Sequence, residues 1–71
     1  MPSFVREALV ERGLMERYAQ RPPYQRNDYI GWITRAKRVE TQRSRLHQML
    51  DELETGDVYM KMTYRPKKRL A

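Results

Sequence analysis

Basic side chains cluster between positions 35 and 45, and they are the residues of this sequence best suited to chemistry. The segment holds a single acid, Glu40, and five cations: Arg35, Lys37, Arg38, Arg43 and Arg45. Guanidinium and ammonium groups bind phosphate and carboxylate oxygens, and the start of a helix adds free N–H groups and a favourable dipole. The pattern predicts an anion-binding site, which we call the basic corner. The favoured interpretation is nonetheless a solvated turn, in which Glu40 and the acidic end of the last helix pair with some of these arginines.

Nucleic acid is one anionic partner that this basic corner would fit. The rings of Tyr29 and Trp32 lie just upstream and could stack on bases. They share a helical face with Ile33 and Ala36, however, so packing in the core is the favoured interpretation. Gln42 is the one amide side chain within the basic segment. Contacts to nucleic acid would therefore be mainly to phosphates, and binding would depend little on base sequence.

Residues with catalytic or metal-binding potential are sparse. The chain has no cysteine and one histidine, His47, which excludes a Cys/His zinc site. His47 stands one helical turn after Arg43 and one turn before Asp51, an arrangement typical of a charged, solvent-facing helix. No nucleophile–base pair and no phosphate-cradling glycine loop is recognisable. We therefore expect a non-enzymatic protein with no catalytic residue, no metal ion and no cofactor.

The length and composition allow one small domain. Its 71 residues are 39% hydrophobic, enough for a small helical core that no disulfide supports. The net charge of +6 falls into blocks of +1 over residues 1–34, +4 over 35–45, −4 over 46–57 and +5 over 58–71. Such blocks attract an anionic partner or neutralise one another within the fold. The apolar runs are too short to span a membrane and no export leader is present, so we expect a soluble cytoplasmic protein.

Apolar residues recur with helical spacing through the first 56 positions. We predict a first helix with Ser3 as its N-cap and Gly13 at its end, followed by a short second helix. The prolines of "RPPY" are favoured only in the first turn of a helix, so a third helix begins near Pro22 or Pro23. Gly56 ends the last helix. The fold class is therefore all-α, a small bundle of about four helices.

A break is predicted in the proline-free stretch that follows. Its two apolar stripes, one before residue 37 and one after residue 45, would point about 120° apart on a straight helix. A break near Arg38 and Val39 lets both stripes face one core, and Glu40 with Thr41 would then cap the last helix. We expect this core to combine Leu9, Tyr18, Trp32, Ile33, Leu46, Leu50 and Leu53.

The C-terminal residues change character. Val58, Met60, Met62 and Tyr64 alternate with more polar residues, as in an extended strand. A lone strand has no partner in a helical chain, so it pairs with a second copy or stays extended. We divide the chain into a helical domain, residues 1–56, and an extended or disordered basic tail, residues 57–71. A monomer is favoured, and a homodimer paired through residues 58–64 is the alternative.

The stretch "YIGWITRAKRVETQRSRL", residues 29–46, carries a resemblance to a known family. It resembles the C-terminal helical segment of the bacteriocin-protection, YdeI/OmpD-associated family. The matching positions are Tyr29, Trp32, Ile33, Ala36, Lys37, Arg38, Glu40, Thr41, Arg43 and Arg45, followed by Leu46 and Gly56. Val39 departs from the pattern, because family members often have proline there.

The resemblance implies a small bacterial interaction module that acts through protein contacts. It also implies a link to stress or antimicrobial-peptide resistance, but it names no protein partner and no chemistry. The alternative function is a weakly sequence-selective nucleic-acid-binding protein that uses the basic corner at residues 35–45, as a helix-turn-helix would. The turn of that motif normally contains glycine, and none lies between Trp32 and Thr55.

Overall fold

The computed structural model of the chain describes residues 1–56, residues 58–60 and the backbone of residues 62–63. This part forms four helices and a two-stranded antiparallel hairpin. They are α1 (Ser3–Glu11), α2 (Met15–Gln20), α3 (Pro23–Arg35), α4 (Val39–Thr55), β1 (Val58–Tyr59) and β2 (Met62–Thr63). The prediction of an all-α bundle of four helices is confirmed. None of these four helices combines the length and the apolar content that crossing a membrane requires.

The end of α1 follows from one glycine. Gly13 has a φ of +68°, a conformation that costs glycine little. Its N–H donates to the carbonyl of Val10 at 3.1 Å, and the N–H of Leu14 donates to the carbonyl of Leu9 at 2.8 Å. These two bonds form a Schellman motif and bring two buried leucines into the core. The N-cap prediction is wrong, because Pro2 holds that position and Ser3 is already helical.

The predicted break between the two long helices is confirmed. α3 ends at Arg35 and α4 begins at Val39. Ala36 and Arg38 are both extended, with ψ values of 134° and 143°, so the chain turns without proline or glycine. The side-chain amide of Gln42 donates to the carbonyl of Ala36 at 3.0 Å and ties the turn to α4.

The core gathers side chains from all four helices. Its buried members are Val5, Leu9, Leu14, Tyr18, Tyr29, Ile33, Leu46, Met49, Leu50 and Leu53. The expected core is therefore confirmed except at Trp32, which is half-buried and packs against its edge. Helical spacing placed Trp32 on the correct side of α3. One face of the indole ring contacts the guanidinium of Arg45 and not an apolar side chain, so the ring lies at the edge of the core.

The segment after α4 packs back onto the helices. β1 pairs with β2 in the register Val58↔Thr63 and Tyr59↔Met62, and Tyr59 and Met60 lie against the core. The expectation that a strand finds no partner within the chain is wrong for these residues. Residues 57, 61 and 64–71, with the basic groups of the predicted tail, lie outside the described part. The homodimer through residues 58–64 stays a prediction.

Candidate anion-binding corner

The backbone at the start of α4 is open. Arg38 is the N-cap residue, and no side chain caps the helix there. The first helical bond is the N–H of Gln42 to the carbonyl of Arg38, at 3.0 Å. The N–H groups of Val39, Glu40 and Thr41 precede that bond and have no acceptor within the described residues, as at any uncapped helix start. The prediction that Glu40 and Thr41 cap α4 is wrong.

Four of the five predicted cations are free at this corner. Arg35, Lys37, Arg38 and Arg43 are exposed, and none forms an ion pair or a side-chain hydrogen bond with any residue that the structure describes. The guanidinium of Arg35 lies along α3 over Gly31, where an added Cβ would come within 2.8 Å of its Nη2. Glycine at position 31 therefore allows Arg35 to lie close to the helix surface.

Arg45 has a structural role instead. Its Nη1 donates to the carbonyl of Trp32 at 2.5 Å, and its Cζ lies 5.2 Å from the centre of the indole ring. A guanidinium over an aromatic face contributes about 0.5–1 kcal/mol at an exposed site. Arg45 thus joins α4 to the end of α3 and is not available as the other four cations are.

The aromatic residues near the corner do not present open stacking surfaces. Tyr29 is fully buried, and its hydroxyl donates to the carboxylate of Glu52. Burial and this hydrogen bond raise the pKa of Tyr29 above its ordinary value. Ile33 and Ala36 are also buried. The interpretation of this stripe as core packing is confirmed for these three residues, and Trp32 is partly covered by Arg45.

The acidic end of α4 is neutralised from the other side of the molecule. Arg12 forms ion pairs with Asp51 at 3.6 Å and with Glu54 at 3.0 Å. Arg17 donates to the backbone carbonyl of Glu54 at 2.7 Å. Glu40 forms no ion pair with a described residue. The turn is solvated, as the favoured interpretation expected, but the pairing of the α4 acids with the arginines of the basic corner is not found among the described residues.

A buried polar cluster was not predicted from the sequence. Arg21, Gln25 and Glu52 are 7%, 0% and 5% exposed. Arg21 donates to the side chain of Gln25 at 3.1 Å and to the backbone carbonyl of Glu52 at 3.1 Å. The carboxylate of Glu52 accepts from Tyr29 and, at 3.0 Å, from the side-chain amide of Gln48. Every buried side-chain nitrogen and oxygen in the described part has a partner, so this cluster stabilises the fold.

One sequence signal could have indicated this cluster. Arg21 directly precedes Pro22 and Pro23, so its backbone is extended and the residue lies at the junction between α2 and α3 instead of continuing α2. Glu52 gave no such signal, because a glutamate in a charged helix usually faces water. No group of three His, Asp or Glu side chains suited to a metal ion occurs in the described part of the chain.

The fold and the basic corner define a small helical domain whose exposed charge is concentrated where α3 meets α4. The sequence matches the family described as "Bacteriocin-protection, YdeI or OmpD-Associated" over residues 1–56. The chain belongs to this family. The match ends at Gly56, the residue that terminates α4. No curated protein and no solved structure matches the chain.

Proposed function

We propose that the chain is a small, non-enzymatic, cytoplasmic bacterial module that binds an acidic surface of another protein through its basic corner. The observation that carries the proposal is the set of four exposed cations without ion pairs. Arg12, Arg17 and Arg21 are bonded to α4 within the fold. The cations Arg35, Lys37, Arg38 and Arg43 have no such bond among the described residues. The family description supports a further step, that this contact contributes to protection against antimicrobial peptides.

The electrostatics of the corner favour a partner of opposite charge. Like charges on a short segment repel one another, and an acidic surface removes that repulsion on binding. The effect reaches only about 8 Å at physiological ionic strength, so the partner must contact the corner directly. Rim charges of this kind act mainly on the association rate. Binding should therefore weaken as salt rises.

A pull-down from the native host tests the protein-binding proposal. The bait is the full chain, compared with Arg38→Gln at the basic corner and with Arg6→Gln as the matched control. Arg6 is equally an exposed arginine without a partner among the described residues, but it lies on α1. We expect Arg38→Gln to reduce capture of the partner and Arg6→Gln to leave it unchanged. Equal capture by both variants would contradict a role for the corner.

A resistance assay tests the physiological step separately. Cells that lack the protein should become more sensitive to antimicrobial peptides, and the wild-type chain should restore resistance. The variant in which all four free cations are replaced by Gln should not restore it. Full complementation by this variant would show that resistance does not depend on the corner.

Nucleic acid is a second candidate, favoured by the open start of α4. Three unbonded N–H groups next to Lys37 and Arg38 match the way in which proteins hold phosphate. Four neutralised phosphates predict a slope of log affinity against log salt of about −3.6 for duplex DNA and about −2.8 for single strands. A fluorescence-anisotropy titration at low and physiological salt measures this slope.

A charge-removal variant assigns any nucleic-acid binding to the corner. Replacing Lys37, Arg38 and Arg43 with Gln leaves Arg35 alone, so the slope should fall to about −0.9. Arg45 is kept, because its contacts to Trp32 are structural. Absence of binding at low micromolar protein and low salt would exclude the nucleic-acid function. Binding that the triple substitution leaves unchanged would place it elsewhere on the chain.

A further inference from the structure

The segment Val58–Met60 lies against α3 and α4 in a way that resembles a bound peptide. The helices contact both its main chain and one of its side chains. We call the receiving surface the tyrosine groove, defined by Arg21, Tyr24, Asp28, Tyr29 and Glu52. These residues belong to α3, to α4 and to the junction between α2 and α3.

Two buried side chains hold the main chain of the segment. Arg21 donates from Nη2 to the carbonyl of Val58 at 2.9 Å. The carboxylate of Glu52 accepts from the N–H of Met60 at 2.8 Å. One donor and one acceptor thus recognise the segment through its backbone, two residues apart. These contacts fit the end of a strand followed by a turn residue with a positive φ, and they are made by main-chain atoms of residues 58 and 60.

The residue between these two bonds enters an aromatic slot. The ring of Tyr59 meets Tyr29 edge to face with centroids 5.4 Å apart, and it meets Tyr24 in the same geometry at 6.1 Å. Its hydroxyl donates to Asp28 at 2.5 Å. Edge-to-face pairs contribute about 0.5–1.5 kcal/mol beyond their buried area. The slot therefore selects an aromatic ring, and Asp28 favours tyrosine over phenylalanine.

The groove is held in shape by bonds that do not involve the segment. Arg21 is fixed by Gln25 and by the backbone carbonyl of Glu52. Glu52 is fixed by Tyr29 and Gln48. A site whose polar groups are already oriented binds with a smaller entropic cost. Gly56, with a φ of +97°, ends α4 just before the segment, and the family match ends there too.

We propose that the tyrosine groove is a peptide-binding site for a segment of another protein that carries a tyrosine at the end of a β-strand, just before a turn. Val58–Met60 occupies it within the chain and competes with that ligand. A short tether gives the chain's own segment a millimolar effective concentration, so an identical segment from a second copy gains nothing by replacing it. A partner segment with contacts beyond three residues can displace it. The site is separate from the basic corner, since Asp28 and Arg35 lie about 10 Å apart along α3.

The test uses a fluorescent peptide with the sequence of residues 56–63, added to the full chain and to its Tyr59→Ala variant. Removing the ring at position 59 weakens the competing segment, so the variant should bind the peptide about tenfold more tightly than the wild type. The same peptide with Ala in place of tyrosine should not bind, and with Phe it should bind a few-fold more weakly. The variant with Gln at the four free cations of the basic corner should bind the peptide as the wild type does.

Two results would overturn the proposal. The first is that the folded Tyr59→Ala variant does not bind the peptide at about millimolar concentration, or that it binds the peptide with Ala in place of tyrosine as tightly as the original peptide. The other is that wild-type protein forms a dimer by exchanging residues 58–60, which would make a second copy the occupant. Circular dichroism checks that the variant keeps its helices. If Tyr59→Ala loses its helices, Tyr59→Phe is used instead, because this variant keeps the ring and loses only the bond to Asp28. The proposal then requires Tyr59→Phe to bind the peptide a few-fold more tightly than the wild type does.

Discussion

Tyr29 connects the core to the buried polar cluster, so removing its hydroxyl isolates one hydrogen bond. Tyr29→Phe keeps the ring, its full burial and its contact with Tyr59. It removes the donor to Glu52, a carboxylate that is 5% exposed. The carboxylate retains the bonds from the side chain of Gln48 and the N–H of Met60. The substitution therefore weakens the hydrogen bonding of a buried charge without opening a cavity.

The expected loss is a large share of the stability of so small a domain. A hydrogen bond to a charged group contributes about 1.5–3 kcal/mol, so we expect Tyr29→Phe to lower the free energy of unfolding by about 2 kcal/mol. A chain of this length is stable by about 4–10 kcal/mol in total. The melting temperature should fall by about 8–16 °C.

Urea denaturation followed by circular dichroism measures this difference, with Tyr24→Phe as the matched control. Tyr24 is 58% exposed, and its hydroxyl accepts from the side-chain amide of Gln25 at 3.0 Å. Losing this neutral bond from the amide of the buried Gln25 should cost about 1 kcal/mol, less than losing a bond to a charged group. If the two variants lose the same stability within about 0.5 kcal/mol, the bond from Tyr29 to Glu52 does not stabilise the fold as argued.

Three further outcomes are expected in the same denaturation assay. Burial raises the pKa of the Tyr29 hydroxyl above 10.0, so its contribution to the free energy of unfolding should be fully present below pH 10 and should be lost as the pH rises above 10. The free energy of unfolding should therefore fall less steeply with pH in Tyr29→Phe than in the wild type, and equal slopes would contradict this. Ile33→Ala should cost about 2–5 kcal/mol and Trp32→Ala about 2 kcal/mol, because only Ile33 is fully buried; a larger loss at Trp32 would place its indole in the core. Arg45→Gln should lower the free energy of unfolding by about 1 kcal/mol, and Arg43→Gln by less than about 0.5 kcal/mol. Equal losses would show that the bond from Arg45 to Trp32 does not stabilise the fold.

The helices could be predicted because their signals are local and periodic. The phase of two apolar stripes located the break between Arg35 and Val39, although no proline marks it. Gly13 and the prolines at positions 22 and 23 gave the end of α1 and the start of α3. The cations of the basic corner were also visible as a run of charge. Whether they were paired depended on where the acids of α4 point, which requires the tertiary structure.

The missed features depend on contacts between residues distant in sequence. Arg21 and Glu52 are 31 positions apart, and each would be assigned to the surface by its type alone. The hairpin of β1 and β2 has no Asn-Gly or Asp-Gly turn, and a non-glycine residue, Met60, takes a positive φ of 52° instead. Trp32 was placed in the core because helical spacing predicts the direction of a side chain but not how deeply it is buried.

The contact between Arg45 and Trp32 also gives the molecule a built-in optical probe. Trp32 is the one tryptophan of the chain, and it lies beside the basic corner with a guanidinium 5.2 Å from the ring centre. Indole emission responds to nearby charge and to water. An anion bound by the four free cations of the basic corner brings charge close to the indole and should therefore change the emission spectrum of the unlabelled protein. A peptide that enters the tyrosine groove should leave the spectrum nearly constant. A single spectrum thus distinguishes the two binding surfaces without a dye or an engineered residue.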